Sequence, residues 1–135
     1  MTLRRKSREF ALQMLFEWDM THQQPACVEQ HFWKSARAAA ETRKFAHQLF
    51  EGAVSQAEAA DALVAELSEN WRLDRLATVD RNILRLAIYE LRFGTAPAKV
   101  VIDEALELGK KFSSEEAPAF LNGVLDAVGK KLQAF

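Results

Sequence analysis

The chain has 135 residues, the length of one domain or of two tightly fused bundles, and its 49% hydrophobic content is enough for a core. The net charge of −1 excludes a protein that is a polycation as a whole, so any nucleic-acid site must be a local patch. A single cysteine, Cys27, excludes an internal disulfide framework and a multi-cysteine zinc site. There is no apolar run near the length of a membrane span and no secretion signal, which favours a cytoplasmic location.

The first predicted helix, Arg4–Met20, has one face with the i, i+3, i+4 spacing of a buried stripe. This stripe consists of Phe10, Ala11, Met14, Leu15 and Trp18. Phe16 forms a second, lateral stripe with Leu12 and Met20, and therefore lies at the edge of the core stripe. A large aromatic side chain at an edge is either packed by a neighbouring helix or offered to a partner, and both interpretations stay open.

Four cations crowd the start of this helix. They are Arg4, Arg5, Lys6 and Arg8, and we call them the basic arm. Cations at a helix N-terminus oppose the macrodipole, so helix stability does not explain them. The arm is either a solvated, partly frayed end or a segment that grips phosphates.

The next part of the chain predicts two or three further helices. One covers Cys27–Ala40, and the stretch Thr42–Asn70 is one long helix or two that join near Gly52–Ser55. Trp71–Ala77 predicts a short helix or a turn. His47 is interpreted as a surface or core histidine and not as a ligand.

The stretch Thr78–Gly94 predicts the central helix of the fold, because its apolar residues cover more than half of the circumference. Thr78 can cap its N-terminus, and Asp80 in the first turn suits the helix dipole. Glu90 falls inside the apolar arc, where a carboxylate needs a cation or hydrogen-bond donors. We interpret Glu90 as one half of a structural ion pair with an arginine and not as a catalytic acid.

The following helix is predicted over Pro97–Phe112, after Gly94 has ended the central one. Glu107 and Lys111 have the i, i+4 spacing of an ion pair. The acidic residues of this helix have lysines between them and no histidine nearby, so they predict a solvated face and not a metal or acid–base cluster. These residues are Asp103, Glu104 and Glu107.

Ser113 and Glu116 fit a capping box for the last helix, predicted over Glu115–Leu132. Phe120 lies at the boundary of its buried stripe, and Gly123 leaves bare backbone beside the ring. Phe120 is therefore either a rim residue of the core or a platform on which a nucleotide base stacks.

Motifs of enzymes are missing from the sequence. There is no Walker loop, no dinucleotide fingerprint, no HExxH and no local signature of a catalytic triad. The sequence therefore predicts no catalytic residue, no cofactor and no metal site.

Three stretches together resemble a known family. They are RRKSREFALQMLF, VDRNILRLAIYEL and VVIDEALELGKKFSSEEAPAFLNGVLDAV. In this order and spacing they are similar to the NusB family of bacterial transcription antitermination factors. The combination of RRxxRExALQ, LRLAIYEL and FLNGVLD is the specific part of the resemblance.

The resemblance implies an all-α fold of about seven helices in two packed sub-bundles, with residues 1–135 forming a single RNA-binding domain. It implies a non-enzymatic role. Proteins of the family pair with NusE, a small-subunit ribosomal protein that doubles as a transcription factor. The pair binds boxA, a short single-stranded RNA element in nascent ribosomal RNA leaders, and the complex helps RNA polymerase to read through terminators.

The resemblance also implies site residues. For RNA they are Arg4, Arg5, Lys6 and Arg8 at the N-terminus and Phe120, Asn122 and Asp126 near the C-terminus. For the partner protein they are Phe16 and Asp80. Cations that disfavour their own helix end become useful against phosphates, Phe120 can stack a base, and the Asn122 amide can donate to and accept from a base edge.

Two alternatives remain. One is a helical adaptor without an RNA role, in the form of a monomer or a homodimer, and a dimer could also cover the RNA-binding face. The other is the N-terminal RNA-binding domain of a ribosomal RNA cytosine methyltransferase, which resembles the same fold. That alternative requires a long downstream catalytic domain with a nucleophilic cysteine, and because the sequence stops at Phe135 we expect a stand-alone factor.

Overall fold

The computed structural model describes residues 2–67 and 76–135, and within these two ranges it contains seven α-helices and no strand. The helices are α1 (Leu3–Thr21), α2 (Pro25–Ser35), α3 (Ala40–Ser55), α4 (Ala57–Leu67), α5 (Thr78–Phe93), α6 (Ala98–Phe112) and α7 (Ala117–Lys131). The predicted all-α fold is confirmed. None of the helices in the described part of the chain has the length and apolarity that a membrane crossing requires.

Helix α5 is the centre of the fold, as its sequence predicts. It packs against α1, α3, α4, α6 and α7. Most of the apolar side chains in its middle are almost completely buried, among them Ile83, Leu84, Leu86 and Ile88. The prediction that Thr78 caps this helix is wrong, because Thr78 is its first residue and no side chain caps the preceding Ala77 position. Gly94 ends the helix as predicted, with its N–H bonded to the Glu90 carbonyl.

The other helices divide into two groups around α5. Helices α1, α2 and α3 pack with one another on one side, and α6, α7 and α4 pack on the other. Helix α2 ends at Ser35, five residues before the predicted end. Of the two readings of the next stretch, the structure has two helices, α3 and α4, with a break at Gln56. The predicted end of that stretch at Asn70, and most of Trp71–Ala77, lie outside the described residues.

The sequence predicts two polar contacts between residues that are close to each other along the chain. In the structure they are replaced by contacts with residues on other helices. The capping box is wrong, because α7 begins at Ala117 and the Ser113 hydroxyl instead donates to Asp80 Oδ1 at 2.6 Å. The Glu107–Lys111 pair is also wrong, because Lys111 Nζ lies 2.9 Å from Oε1 of the buried Glu9 on α1. Glu107 pairs with Lys110 at 3.3 Å. In both cases the observed partner is a buried carboxylate that is distant in sequence. A buried carboxylate without a hydrogen-bond donor costs more free energy than an exposed one, so it takes the donor from the local partner.

The far end of α1 is held by a cluster of matched charges. Arg85 donates to both carboxylate oxygens of Asp61, at 2.9 and 2.7 Å, and to Asp19 at 3.1 Å. Asp19 also accepts from Arg81 Nε at 2.9 Å and from the Asn82 amide at 3.0 Å. Burial acts to raise the pKa of Asp19, but the hydrogen bonds from Arg81 and Asn82 outweigh it, and the pKa is lowered. This charge cluster ties α1 and α4 to α5.

Candidate nucleic-acid interface

The basic arm lies in regular helix. Thr2 precedes α1, and its hydroxyl oxygen accepts the Arg5 N–H at 3.0 Å, which satisfies one of the open donors of the helix end. Arg4 is exposed, and its guanidinium carbon lies 4.2 Å from the centre of the Phe45 ring on α3. Lys6 is exposed too, with Nζ 4.8 Å from the Phe10 ring. Neither cation has a carboxylate partner among the described residues.

Arg5 is at the surface but is held by an acid of α6. Its Nη2 lies 2.9 Å from Glu104 Oε2, and its side chain keeps 44% of its accessible surface. The hydrogen bond to Glu104 raises the pKa of Arg5. Glu104 itself is only 14% exposed, so the prediction of a fully solvated acidic face on α6 is wrong at this residue. The cluster of cations at the start of α1 is the feature of the sequence that indicates pairing with an acidic side chain from another helix.

Arg8 points into the protein. It is 3% exposed, and its Nε and Nη2 donate to the two oxygens of Glu90, both at 2.8 Å. Burial acts to lower the pKa of Arg8, but the hydrogen bond to Glu90 outweighs it, and the pKa is raised. The interpretation of Glu90 as half of a structural pair with an arginine is therefore confirmed. Of the four arm residues, Arg8 is the one whose charged group is enclosed by acids, since Glu104 also lies 3.7 Å away.

The predicted C-terminal site residues lie on α7. Phe120 is half-buried at the edge of the core, and Asn122 is exposed. A Cβ built on Gly123 would meet no atom within 4 Å, so the surface beside these residues is open. Asp126, one turn further along, accepts from Lys130 Nζ at 3.0 Å.

Helix α6 connects the arm to α7. On one side it supplies Glu104 to Arg5 and Lys111 to Glu9 of α1. On the other side Gly109 lets α7 approach closely, since a Cβ there would lie 2.8 Å from Leu121 Cδ1. The arm and the Phe120 region therefore flank the same helix.

The two residues predicted to face a protein partner have different surroundings. Phe16 is 40% exposed, and Met20, one turn further on α1, is 58% exposed, so the two form an apolar surface strip. Asp80 is only 9% exposed, and Ser113 donates to it. Its carboxylate helps to fix the turn before α7.

A further titratable cluster lies on α2 and α3. His47 Nδ1 is 2.8 Å from Glu29 and its Nε2 is 2.8 Å from Glu51, and the ligand atoms of the three residues lie within 4.8 Å of one another. The two acids take opposite nitrogens of the ring, which is the arrangement of a protonated imidazole between carboxylates and not of ligands that converge on one metal. The hydrogen bond to Glu29 raises the pKa of His47. With half of its side chain exposed, His47 is a surface histidine, one of the two predicted alternatives.

Comparison with known proteins gives one consistent result. The model of the NusB family matches residues 5–130. The transcription antitermination protein NusB of Koribacter versatilis is 48% identical over 133 residues, which are 97% of this chain and 91% of that protein. The protein of the same description from Anaeromyxobacter dehalogenans is 46% identical, over 98% of this chain and 94% of its own.

Solved structures agree. The structure of T. maritima NusB superposes with a TM-score of 0.86 at 33% identity, and the match covers 96% of this chain and 92% of that one. A crystal structure of the antitermination factors NusB and NusE in complex with dsRNA matches with a TM-score of 0.85 at 30% identity, over 97% and 98% of the two chains.

Proposed function

The chain belongs to the NusB family, and on this premise we propose that it is a transcription antitermination factor that binds boxA-type single-stranded RNA together with NusE. In this role the complex joins RNA polymerase and helps it to read through terminators. The observation that carries the proposal is the 48% identity to an antitermination protein over 97% of the chain. Such a protein works where transcription does, so we place it in the cytoplasm, with a regulatory and not a catalytic role, as one domain over residues 1–135.

The exposed residues of the basic arm supply the phosphate contacts. Arg4 and Lys6 have no carboxylate to neutralise them among the described residues, and Arg5 has only the partly exposed pair with Glu104. A phosphate can take the place of a solvating water at each of these cations. Three phosphate contacts on a single strand correspond to a salt slope of about −2 in log K against log salt concentration.

Arg8 acts indirectly, through its ion pair with Glu90. Its guanidinium is enclosed by Glu90 and Glu104, so in this structure it has no free donor at the surface. We assign it the role of a positioning residue, which fixes the start of α1 on α5 and thereby directs its neighbours in the arm outward. The direct RNA contact of Arg8 that the resemblance implies stays a prediction.

Base recognition falls to α7. The half-buried ring of Phe120 is supported from below by the core, and the open surface at Gly123 gives a base room to approach. The exposed Asn122 amide offers a donor and an acceptor to a base edge, and Asp126 offers an acceptor. The strip of Phe16 and Met20 on α1 is the surface that we propose for NusE, and we include Asp80 from the first turn of the neighbouring α5.

The experiment that tests this function measures binding of a labelled boxA-type RNA to the full chain, with and without NusE, across a salt series. We expect weak, salt-sensitive binding by the chain alone and tighter binding with NusE. Absence of RNA binding under both conditions, by a protein that is folded and monomeric by size-exclusion chromatography, would leave the helical adaptor as the better explanation. A homodimer in the same measurement would require the test to be repeated on a dissociated chain.

Phe120→Ala tests the stacking role. Loss of one stacked base weakens RNA binding about fivefold or more, while the free energy of unfolding changes little. The readouts are the dissociation constant and the urea midpoint of the same sample. A large loss of stability with unchanged RNA affinity would place Phe120 among the core residues.

A further inference from the structure

A groove lies on the other side of the basic arm, away from α6. It consists of a cavity of about 410 Å³ between the start of α1 and α3 and a second of about 190 Å³ between α3 and the end of α5. Both cavities are lined by Arg4, Phe45 and Gln48, so they form one continuous depression. We call it the α1–α3–α5 groove. The larger cavity falls within the roughly 300–1,000 Å³ that small-molecule sites occupy.

Two cations, Arg4 and Lys44, line the groove, and neither has an acidic partner among the described residues. Arg4 lies over the Phe45 ring, and Lys44 lies next to it on α3. A third cation, Arg92, lies outside the lining but next to it, with its guanidinium carbon 5.4 Å from the centre of the Phe93 ring. None of these three has an ion pair with a described residue. Of the two acids in the lining, Glu90 is neutralised by Arg8, which leaves Glu41.

Aromatic rings line the same groove as these cations. Phe93 is 53% exposed and lies 5.7 Å from the Tyr89 ring, at an interplanar angle of 36°. Tyr89 is fixed from below by Gly52, where a Cβ would overlap its ring. An exposed ring on a fixed ring is a stable platform, and it costs little entropy to order when a flat ligand stacks on it.

We propose that the α1–α3–α5 groove binds the nucleotides of the single-stranded RNA that flank the part held by the basic arm. Cations without ion pairs together with an exposed aromatic ring are features with which proteins follow a single strand, since cations bind the phosphates and rings stack the bases. Arg4 belongs to both surfaces, so one strand can pass from the arm into the groove without a gap. Gln48, exposed between the two cavities, can donate to and accept from a base edge.

This inference rests on the proposed function and deepens it, because it assigns a second part of the RNA to a surface that the family motifs do not include. The motif stretches supply Arg4 and Tyr89, whereas Lys44, Phe45 and Gln48 come from α3. Contact with flanking nucleotides would let the protein distinguish boxA in a longer single strand from the isolated element.

The test compares three labelled RNAs on the full chain: a boxA-type core, the core with about four nucleotides added at the 5′ end, and the core with the same number added at the 3′ end. We expect one extended RNA to bind several-fold more tightly than the core. Phe93→Leu removes the ring but keeps an apolar side chain, and it should abolish that gain. Phe93→Trp should retain the gain. Because Phe93 is largely exposed, neither change is expected to unfold the chain.

Lys44→Gln should also reduce the gain and lower the salt slope for the extended RNA by about 0.7. Lys34→Gln is the matched control, since Lys34 is an exposed lysine of α2 that does not line the groove. Equal affinity for core and extended RNAs, or a gain that survives Phe93→Leu, would overturn this inference alone. Such a result would favour a peptide as the ligand of the groove. Failure of the core RNA to bind at all would overturn the proposed function and this inference with it.

Discussion

The cations at the two ends of α1 have opposite surroundings. At its C-terminal end Asp19, Asp61, Arg81 and Arg85 form a cluster in which the cations meet carboxylates within hydrogen-bonding distance. At its N-terminal end Arg4 and Lys6 lie over aromatic rings, with no carboxylate partner among the described residues. Both ends have cations, but at one end carboxylates neutralise their charge inside the protein, and at the other end no described carboxylate does so.

The second turn of α1 shows where one use changes into the other. Arg8 is one turn from Arg4, yet it is enclosed by Glu90, while Arg4 is exposed. Matched charges fix the relative positions of helices, and unmatched charges are available to a ligand. A basic segment should therefore be judged by how many of its cations already have partners and not by how many cations it contains.

The largest expected effect comes from breaking the buried pair. Glu90→Ala would leave the Arg8 charge without its main partner in the interior, and we expect a loss of about 3–5 kcal/mol in the free energy of unfolding. Urea denaturation at neutral pH measures it. The double variant Arg8→Met/Glu90→Leu serves as the control and should recover most of the loss, because neither charge is then stranded. If Glu90→Ala were as stable as the wild type, water would have to hydrate the Arg8 guanidinium in place of Glu90.

The charge cluster at the other end should respond to acid. The pKa of Asp19 is lower in the folded state than in the unfolded state, so its stabilising contribution is complete above the unfolded value of about 3.9 and is lost as the pH falls through the folded value. Asp19→Asn should cost about 1–3 kcal/mol at neutral pH, and the difference from the wild type should shrink towards about pH 3. Urea denaturation at the two pH values measures this. A difference that does not depend on pH would contradict the assignment.

The unmatched end should affect RNA and not the fold. Arg4→Gln/Lys6→Gln removes two phosphate contacts, so we expect about tenfold weaker RNA binding at physiological salt and a salt slope smaller by about 1.4. The thermal midpoint should be nearly unchanged, because neither side chain is buried. Lys34→Gln is again the control for charge alone. Loss of stability with intact RNA binding would reverse the distinction between the two ends.

The smallest effect concerns the intermediate case, Arg5. Glu104 holds Arg5 at the surface and so competes with phosphate for it. Glu104→Gln should therefore raise RNA affinity by about two- to threefold, the magnitude of a partly exposed ion pair. Binding at low salt, where such pairs count most, gives the clearest measurement. A decrease in affinity would mean that Glu104 presents Arg5 to the RNA and does not compete for it.

Periodicity in the sequence predicts most of the fold. Helices α1, α5 and α6 begin and end within one residue of the predicted bounds, because each has a continuous apolar stripe and a clear stop signal. Two of the errors concern Ser113 and Lys111, for which the sequence offers acidic partners within one turn. Their actual partners, Asp80 and Glu9, lie 33 and 102 positions away in the sequence. Such contacts depend on how helices cross, which periodicity does not contain.

In the candidate site, too, some features can be predicted from the sequence and others depend on how the helices pack. The basic arm and Phe120 are visible in the sequence as features that helix stability does not explain. The sequence also indicates that Glu90 needs an arginine, but it does not identify Arg8 as that residue. Which arm cation is buried depends on the positions of Glu90 and Glu104, which α5 and α6 bring to α1. The α1–α3–α5 groove is also hidden in the sequence, because its residues come from three separate helices.

The hydrogen bond from Ser113 to Asp80 joins two surfaces that have been described separately. Asp80 lies in the first turn of α5, which packs against α1, the helix that carries the proposed NusE surface, and Ser113 lies in the turn that leads to α7 and Phe120. A partner that shifts Asp80 would therefore also act on the position of α7, the helix that we propose for base recognition. Thermodynamic reciprocity then requires that RNA strengthen the binding of NusE by the same factor as NusE strengthens the binding of RNA. On this proposal, the Ser113 hydroxyl affects how strongly the binding of RNA and the binding of NusE to this chain favour each other.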